Sequence, residues 1–221
     1  MILKELYLYP DLVEYPKEIT SAVRDQTRCL CNFLERNSLK KIKFKTESFK
    51  RICIVGHDVP DKKVFINSCN VAVKEAIFDK YLYDFRKKSE QDLHEFFISW
   101  LMSGLECLNE QLAIPLENIE EGVQLFRDGD YKNEWIYKSK KIAGTNYKAT
   151  LKCCLTMNEF KLYLVIDSKS EVIAEELVIT TIPDEIVFVR KFNDLVVHNG
   201  IVQVLDKFGD LVFEYNVANI Q

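Results

Sequence analysis

The spacing of apolar positions changes along this chain, and the changes mark its elements. Residues 2–9 alternate between apolar and polar like a strand, because successive side chains of an extended chain point to opposite faces. After Pro16, the segment from Lys17 to Asn37 sets Ile19, Val23, Leu30, Phe33 and Leu34 on one side of a helix. Short β-like runs follow at Lys41–Thr46, Arg51–Val55, Lys63–Asn67 and Asn70–Phe78, separated by turn formers such as Gly56, Asp58, Pro60 and Asp61. They predict a small meander beside the helix.

The clearest helical pattern follows Ser89, which suits an N-cap. Leu93, Phe96, Phe97, Trp100, Leu101, Leu105, Leu108 and Leu112 recur there at spacings of three and four. Such a stripe must be buried, so Phe97 and Trp100 are expected in a core. Pro115 suits the first turn of a second helix, in which Leu116, Ile119, Val123 and Phe126 continue the pattern until Asp128-Gly129-Asp130 stops it.

From Glu134 onward the period is two. Tyr147, Ala149, Leu151, Cys153 and Leu155 alternate with Lys148, Thr150, Lys152 and Cys154, and Phe160, Leu162, Leu164 and Ile166 line one face of the next run. Gly144-Thr145-Asn146, Met157-Asn158-Glu159 and Ser168-Lys169-Ser170 are turns short enough for antiparallel hairpins. Asn199-Gly200, between Leu195–His198 and Ile201–Leu205, is the strongest hairpin signal.

The fold class expected is therefore α+β. A strand, helix and meander with two consecutive helices come first, followed by a C-terminal antiparallel β-sheet of about seven strands. Residues 1–130 form the α+β region and 131–221 the β-rich region. Glycine and proline are scarce, at 7 and 5, which leaves no flexible linker and predicts that the two regions pack as one compact unit.

Composition adds limits rather than elements. Hydrophobic residues make up 48% and charged residues 29% of 221, which puts the chain among folded globular proteins. The seven cysteines, at 29, 31, 53, 69, 107, 153 and 154, are odd in number and irregularly spaced, so reduced thiols in a cytoplasm are expected. The N-terminal residues lack the basic and continuous apolar stretches of a signal peptide. The longest apolar tract, Phe96 to Leu108, is interrupted by Ser99, Ser103, Gly104 and Glu106, which argues against a membrane span.

Catalytic motifs are sparse. The glycines never come within six positions of one another, so neither a P-loop nor a dinucleotide-binding turn can be written, and no cofactor is expected. No Cys-x-x-Cys pair exists and His57, His94 and His198 are far apart, which argues against a zinc site. His94 sits beside the apolar stripe as a boundary residue, and His198 ends a strand. Gly56-His57-Asp58-Val59-Pro60-Asp61 places an imidazole and two carboxylates in one loop, enough for a general base with an orienting acid in a small hydrolase or nuclease. The same loop reads more simply as a polar turn.

Charge separates more sharply than any motif. Between Arg36 and Arg51 there are seven basic residues and one acid, Glu47, and Lys41, Lys43 and Lys45 would share one face of a strand with Ile42 and Phe44 pointing inward. RNA binding through that basic strand is one alternative, but the overall charge of −4 argues against a dedicated nucleic-acid binder. Residues 89–126 hold eight acids and no lysine or arginine. Exposed helices usually mix signs, because opposite charges three or four residues apart stabilise them by about 0.2–0.5 kcal/mol per pair. An acidic face kept for a basic partner is the reading that follows, with Glu106, Glu110, Glu117, Glu120 and Glu121 as contacts. The expectation is a non-enzymatic cytoplasmic inhibitor, most specifically an immunity protein that neutralises a basic, nuclease-like toxin.

Overall fold

A computed structural model describes residues 1–81, 83–84, 88–168 and 171–219. The chain divides into two compact units, Met1–Asn133 and Glu134–Gln221.

The first unit opens with strand β1 (Glu5–Pro10), whose buried positions alternate, and helix α1 (Lys17–Leu34). A π-helical turn over Glu35–Leu39 and the short helix α2 (Lys40–Ile42) prolong α1. Strands β2 (Arg51–His57), β3 (Val64–Ile66) and β4 (Val71–Ile77) follow, and the four strands lie in the order β1-β2-β4-β3. The meander expected here is not formed: β1, β2 and β4 run parallel, and only β3 pairs antiparallel, with β4. Parallel neighbours need a crossover, and α1 supplies the one between β1 and β2. The central strand β2 accordingly has five consecutive buried residues, Ile52 to Gly56. Ile54 meets a helix, whereas Cys53 and Val55 join Tyr7, Tyr9, Val71 and Val73 in a smaller cluster.

The strand expected at Lys41–Thr46 is also absent. Lys40–Ile42 is helical, Lys43 adopts a left-handed backbone with φ 51°, and Lys45 makes only an isolated bridge to Ile2. The alternation of lysine with apolar residues suits either state, and lysine is a good helix former. Here the helical turns continue far enough to bury Leu39 completely, leaving Ile42 exposed.

Helices α3 (Glu90–Asn109) and α4 (Leu116–Asp128) complete this unit. Phe97 and Trp100 are buried, as the stripe requires, with Trp100 and Phe78 ring centroids 4.8 Å apart. Two glycines bring the helices close to their supports. A Cβ on Gly104 would fall 2.5 Å from a methyl of Ile54 on β2, and one on Gly122 would collide with the Ser38 hydroxyl.

Among the described residues the second unit holds seven strands, in two sheets instead of one. Strands β5 (Glu134–Lys141), β6 (Lys148–Leu155), β7 (Phe160–Ser168) and β8 (Glu171–Thr181) form an antiparallel sheet in chain order. Strands β9 (Asp194–His198), β10 (Ile201–Leu205) and β11 (Leu211–Asn216) form another. The break falls at Pro183, which has no N–H for a ladder, and at Asp184, whose side chain accepts from Ile186 N–H and starts helix α5 (Glu185–Phe188). The two sheets share a core in which Phe160 stacks on Phe188 and Phe192 at 3.9 and 5.6 Å. The β9–β10 turn at Asn199-Gly200 has the expected positive φ values of 49° and 75°. The expected turn at Ser168-Lys169-Ser170 lies partly outside the described residues. Among the described residues no helix is long and apolar enough to cross a membrane.

Candidate functional site

The acidic stretch becomes two helices whose inner faces are fixed before any ligand is considered. Ser89 caps α3 in a reciprocal box: its hydroxyl accepts from Asp92 N–H, and the Asp92 carboxylate accepts from Ser89 N–H. The Ser89 hydroxyl also donates to the Asp92 carboxylate at 2.7 Å, and this bond, with that from Ser89 N–H, holds the Asp92 carboxyl below its ordinary range. Leu93, Phe97, Leu101, Leu105 and Leu108 anchor α3, and Ile119, Val123 and Phe126 anchor α4. After α4 the chain turns through Asp130 and Tyr131, both left-handed, and Tyr131 N–H returns to the Phe126 carbonyl at 2.8 Å.

That turn brings Arg127 and Tyr131 onto Glu95 of α3. Arg127 grips both carboxylate oxygens, at 2.8 and 2.7 Å, and the Tyr131 hydroxyl donates at 2.8 Å. The pairing, chiefly with Arg127, lowers the Glu95 pKa. His94, expected at a boundary, is instead buried, its ring stacked on Tyr131 at 4.9 Å and edge-on to Phe126. Burial drives its pKa down to about 4, so the imidazole is neutral in the fold at neutral pH.

Glu106, Glu110, Glu117, Glu120 and Glu121 are all exposed, and among the described residues none is in an ion pair. Glu106 of α3 and Glu110, its C-cap, lie on one side, and Glu117 and Glu121 share one face of α4, each pair being four residues apart. Glu106 and Glu120 also border a groove of about 470 Å³ between the helices, lined by Ile98, Met102 and Val123. Its far end carries Glu95 already neutralised by Arg127, so the unpaired charge is concentrated at the other end. Comparison with protein-family models, curated proteins and solved structures finds no match.

His57 belongs to a different constellation, at the carboxyl ends of the parallel strands. Its Nδ1 lies 2.8 Å from Glu14, and its Nε2 lies 3.7 Å from both Asp11 and Glu75. The acids adjacent in sequence turn elsewhere. Asp58 accepts from the Tyr15 hydroxyl at 2.7 Å, and the Asp61 carboxylate accepts from Lys63 N–H at 3.0 Å. Burial pushes the Asp11 carboxyl up, but the N–H groups of Glu14 and Val13 and the nearby imidazole outweigh it and hold the carboxyl down. A histidine gripped by a carboxylate at one nitrogen has the arrangement of a general base. Among the described residues, however, no group of three or more His, Cys, Asp or Glu could hold a metal ion. His57 of β2, the turn that holds Asp11 and Glu14, and Glu75 of β4 come from three separate segments, and only the parallel pairing of β1, β2 and β4 brings them together.

The basic segment offers no shared strand face. Lys41, Lys43 and Lys45 are exposed, but they occupy a helical turn, a left-handed residue and an isolated bridge, so the geometry assumed for an RNA contact is missing.

Proposed function

We propose that this protein binds and masks a basic protein partner through the α3–α4 surface, and that the most specific form of this role is an immunity protein neutralising a cationic, nuclease-like toxin in the cytoplasm. The observation that carries the reading is the set of five exposed glutamates that have no counter-ion among the described residues, beside a Glu95 that has one. A surface that can pair its acids internally and leaves five unpaired presents a negative potential to solvent. Nucleases need a cationic surface to hold phosphates, and an acidic protein can occupy that surface without chemistry of its own.

Individual rim charges are worth little, about 0–1 kcal/mol each, but together they steer encounter. Complementary charge raises association rates toward ~10⁸–10⁹ M⁻¹s⁻¹ at low salt. Met102 and the half-exposed Leu125 supply apolar surface beside the acids, which a lasting complex needs in addition to charge.

The test is recovery of partners from the native host at low salt, followed by kinetics with the purified partner. Reversing Glu117, Glu120 and Glu121 together to lysine is expected to slow association by about tenfold or more and to flatten its dependence on salt, at an unchanged melting temperature. Recovery of no basic protein, or kinetics indifferent to the reversal, would remove the proposal.

A further inference from the structure

The two sheets of the C-terminal unit are tied along one side and open along the other. On the tied side Lys138 of β5 reaches Asp194 of β9 at 2.6 Å, and the Tyr137 hydroxyl donates to the Asn193 carbonyl at 3.3 Å. On the open side β8 and β11 are the end strands of their sheets, and among the described residues each has one unpaired edge. A groove of about 460 Å³ lies between them.

Both end strands carry a bulge at this groove, β8 having a second one farther along at Ile173. In β8, Leu162 pairs with Ile179 and Tyr163 with Leu177, which leaves Val178 as the extra residue. In β11, Val204 pairs with Phe213 and Leu205 with Leu211, which leaves Val212. Val178, Ile179 and Val212 all line the groove. A bulge re-aims one side chain without ending the strand, and here two of them turn valines toward the same opening.

The polar lining is positive. Arg190 and Lys191, which follow α5, are exposed, and among the described residues neither has an ion pair. Asp206 is engaged, its carboxylate accepting from the N–H groups of Phe208 and Asp210 at 2.7 and 2.9 Å. Glu171, Glu175 and Glu176 charge the first part of β8, whereas the stretch at the groove, Leu177–Thr181, contains no charge and no proline to prevent edge pairing.

We infer that this groove is a docking site for an extended peptide segment of a partner protein, apolar at alternate positions and bearing a carboxylate. The segment adds to the free edge of β8 by main-chain hydrogen bonds, sets its apolar side chains against Val178, Ile179 and Val212, and places its carboxylate on Arg190 and Lys191. Charge complementarity selects an acidic segment over a basic one. The groove is lined by none of the residues of α3 and α4, so this inference stands or falls independently of the proposed function.

Panning a random linear-peptide phage library against the full chain tests it. The enriched sequences are expected to alternate apolar residues and to carry Asp or Glu, and the synthetic consensus peptide should slow amide exchange at 178–181. Arg190→Glu with Lys191→Glu should weaken that peptide at least about tenfold at an unchanged melting temperature, because each charged hydrogen bond lost is a large share of a short peptide's affinity. Arg190→Gln with Lys191→Gln serves the same purpose should the reversal impair folding. No enrichment, enrichment of basic peptides, protection elsewhere than β8, or affinity indifferent to both pairs of substitutions overturns the inference.

Discussion

Arg28 and Glu35 form a buried pair at 3.2 Å, and both also hold the backbone of Leu6. Leu6 N–H donates to Glu35 at 2.9 Å, its carbonyl accepts from Arg28 at 2.8 Å, and the Leu8 carbonyl accepts from the Thr27 hydroxyl at 2.8 Å. These groups lie on β1, an end strand of its sheet, so side chains of α1 and the turn after it take the place of a neighbouring strand. Glu35→Ala should therefore cost about 3–5 kcal/mol, because it strands both a buried guanidinium and a backbone donor. Urea unfolding of the N-terminal unit measures it, and a cost below about 1 kcal/mol would show that the pair is dispensable. His94 gives a second test. Its folded pKa of about 4 lies below the ordinary 6.5, so the unfolded chain binds the extra proton first as pH falls. The stability that depends on the neutral ring is fully present above pH 6.5 and is lost as pH falls toward 4, by roughly 2–4 kcal/mol. His94 Nδ1 is also buried without a hydrogen bond. His94→Phe should flatten this part of the acid limb while keeping or raising stability at neutral pH, as thermal melts across the interval would show.

Among the elements, α3 and α4 were legible because a stripe of large apolar residues, a capping serine and an Asp-Gly-Asp stop all agree locally. The hairpin at Asn199-Gly200 was legible for the same reason, since its backbone needs positive φ values that few residue pairs accept. Direction of strand pairing was not. The run Arg51–Val55 looks the same whether its neighbours are parallel or antiparallel, and what decides is the crossover through α1. The ring of acids around His57 was hidden with it, since its members meet only after the strands are ordered; Arg28 and Glu35 are two turns apart on one helical segment, but the Leu6 backbone they hold is placed by the same ordering. The five glutamates of the candidate surface were visible as sequence, whereas their lack of partners required the neighbouring side chains. Placement of α3 rests on Gly104, where there is no room for a methyl group against Ile54. Gly104→Ala should gain helix propensity of about 1 kcal/mol and lose more than that to overpacking, about 1–3 kcal/mol, for a net destabilisation. A melting temperature equal to or above that of the wild type would show that α3 can shift outward at no cost.

At the scale of the whole molecule, the two units are built on contrasting chain economies. Every paired neighbour in the C-terminal sheets is also a neighbour in sequence, so each pairing closes a short loop. In the N-terminal sheet β1 must find β2 across the whole of α1, and β2 must find β4 across β3. Pairings between distant segments pay loop-closure entropy before any contact rewards them, which slows their formation. On a ribosome the order of synthesis opposes the order of ease. The N-terminal unit emerges first, yet β1 gains its neighbour only after α1, its π-helical turn and α2 have all been made. During that interval β1 has α1 beside it but no second strand: the bonds from Thr27, Arg28 and Glu35 already close its outer edge, so the edge reserved for β2 is the one left open to another nascent chain.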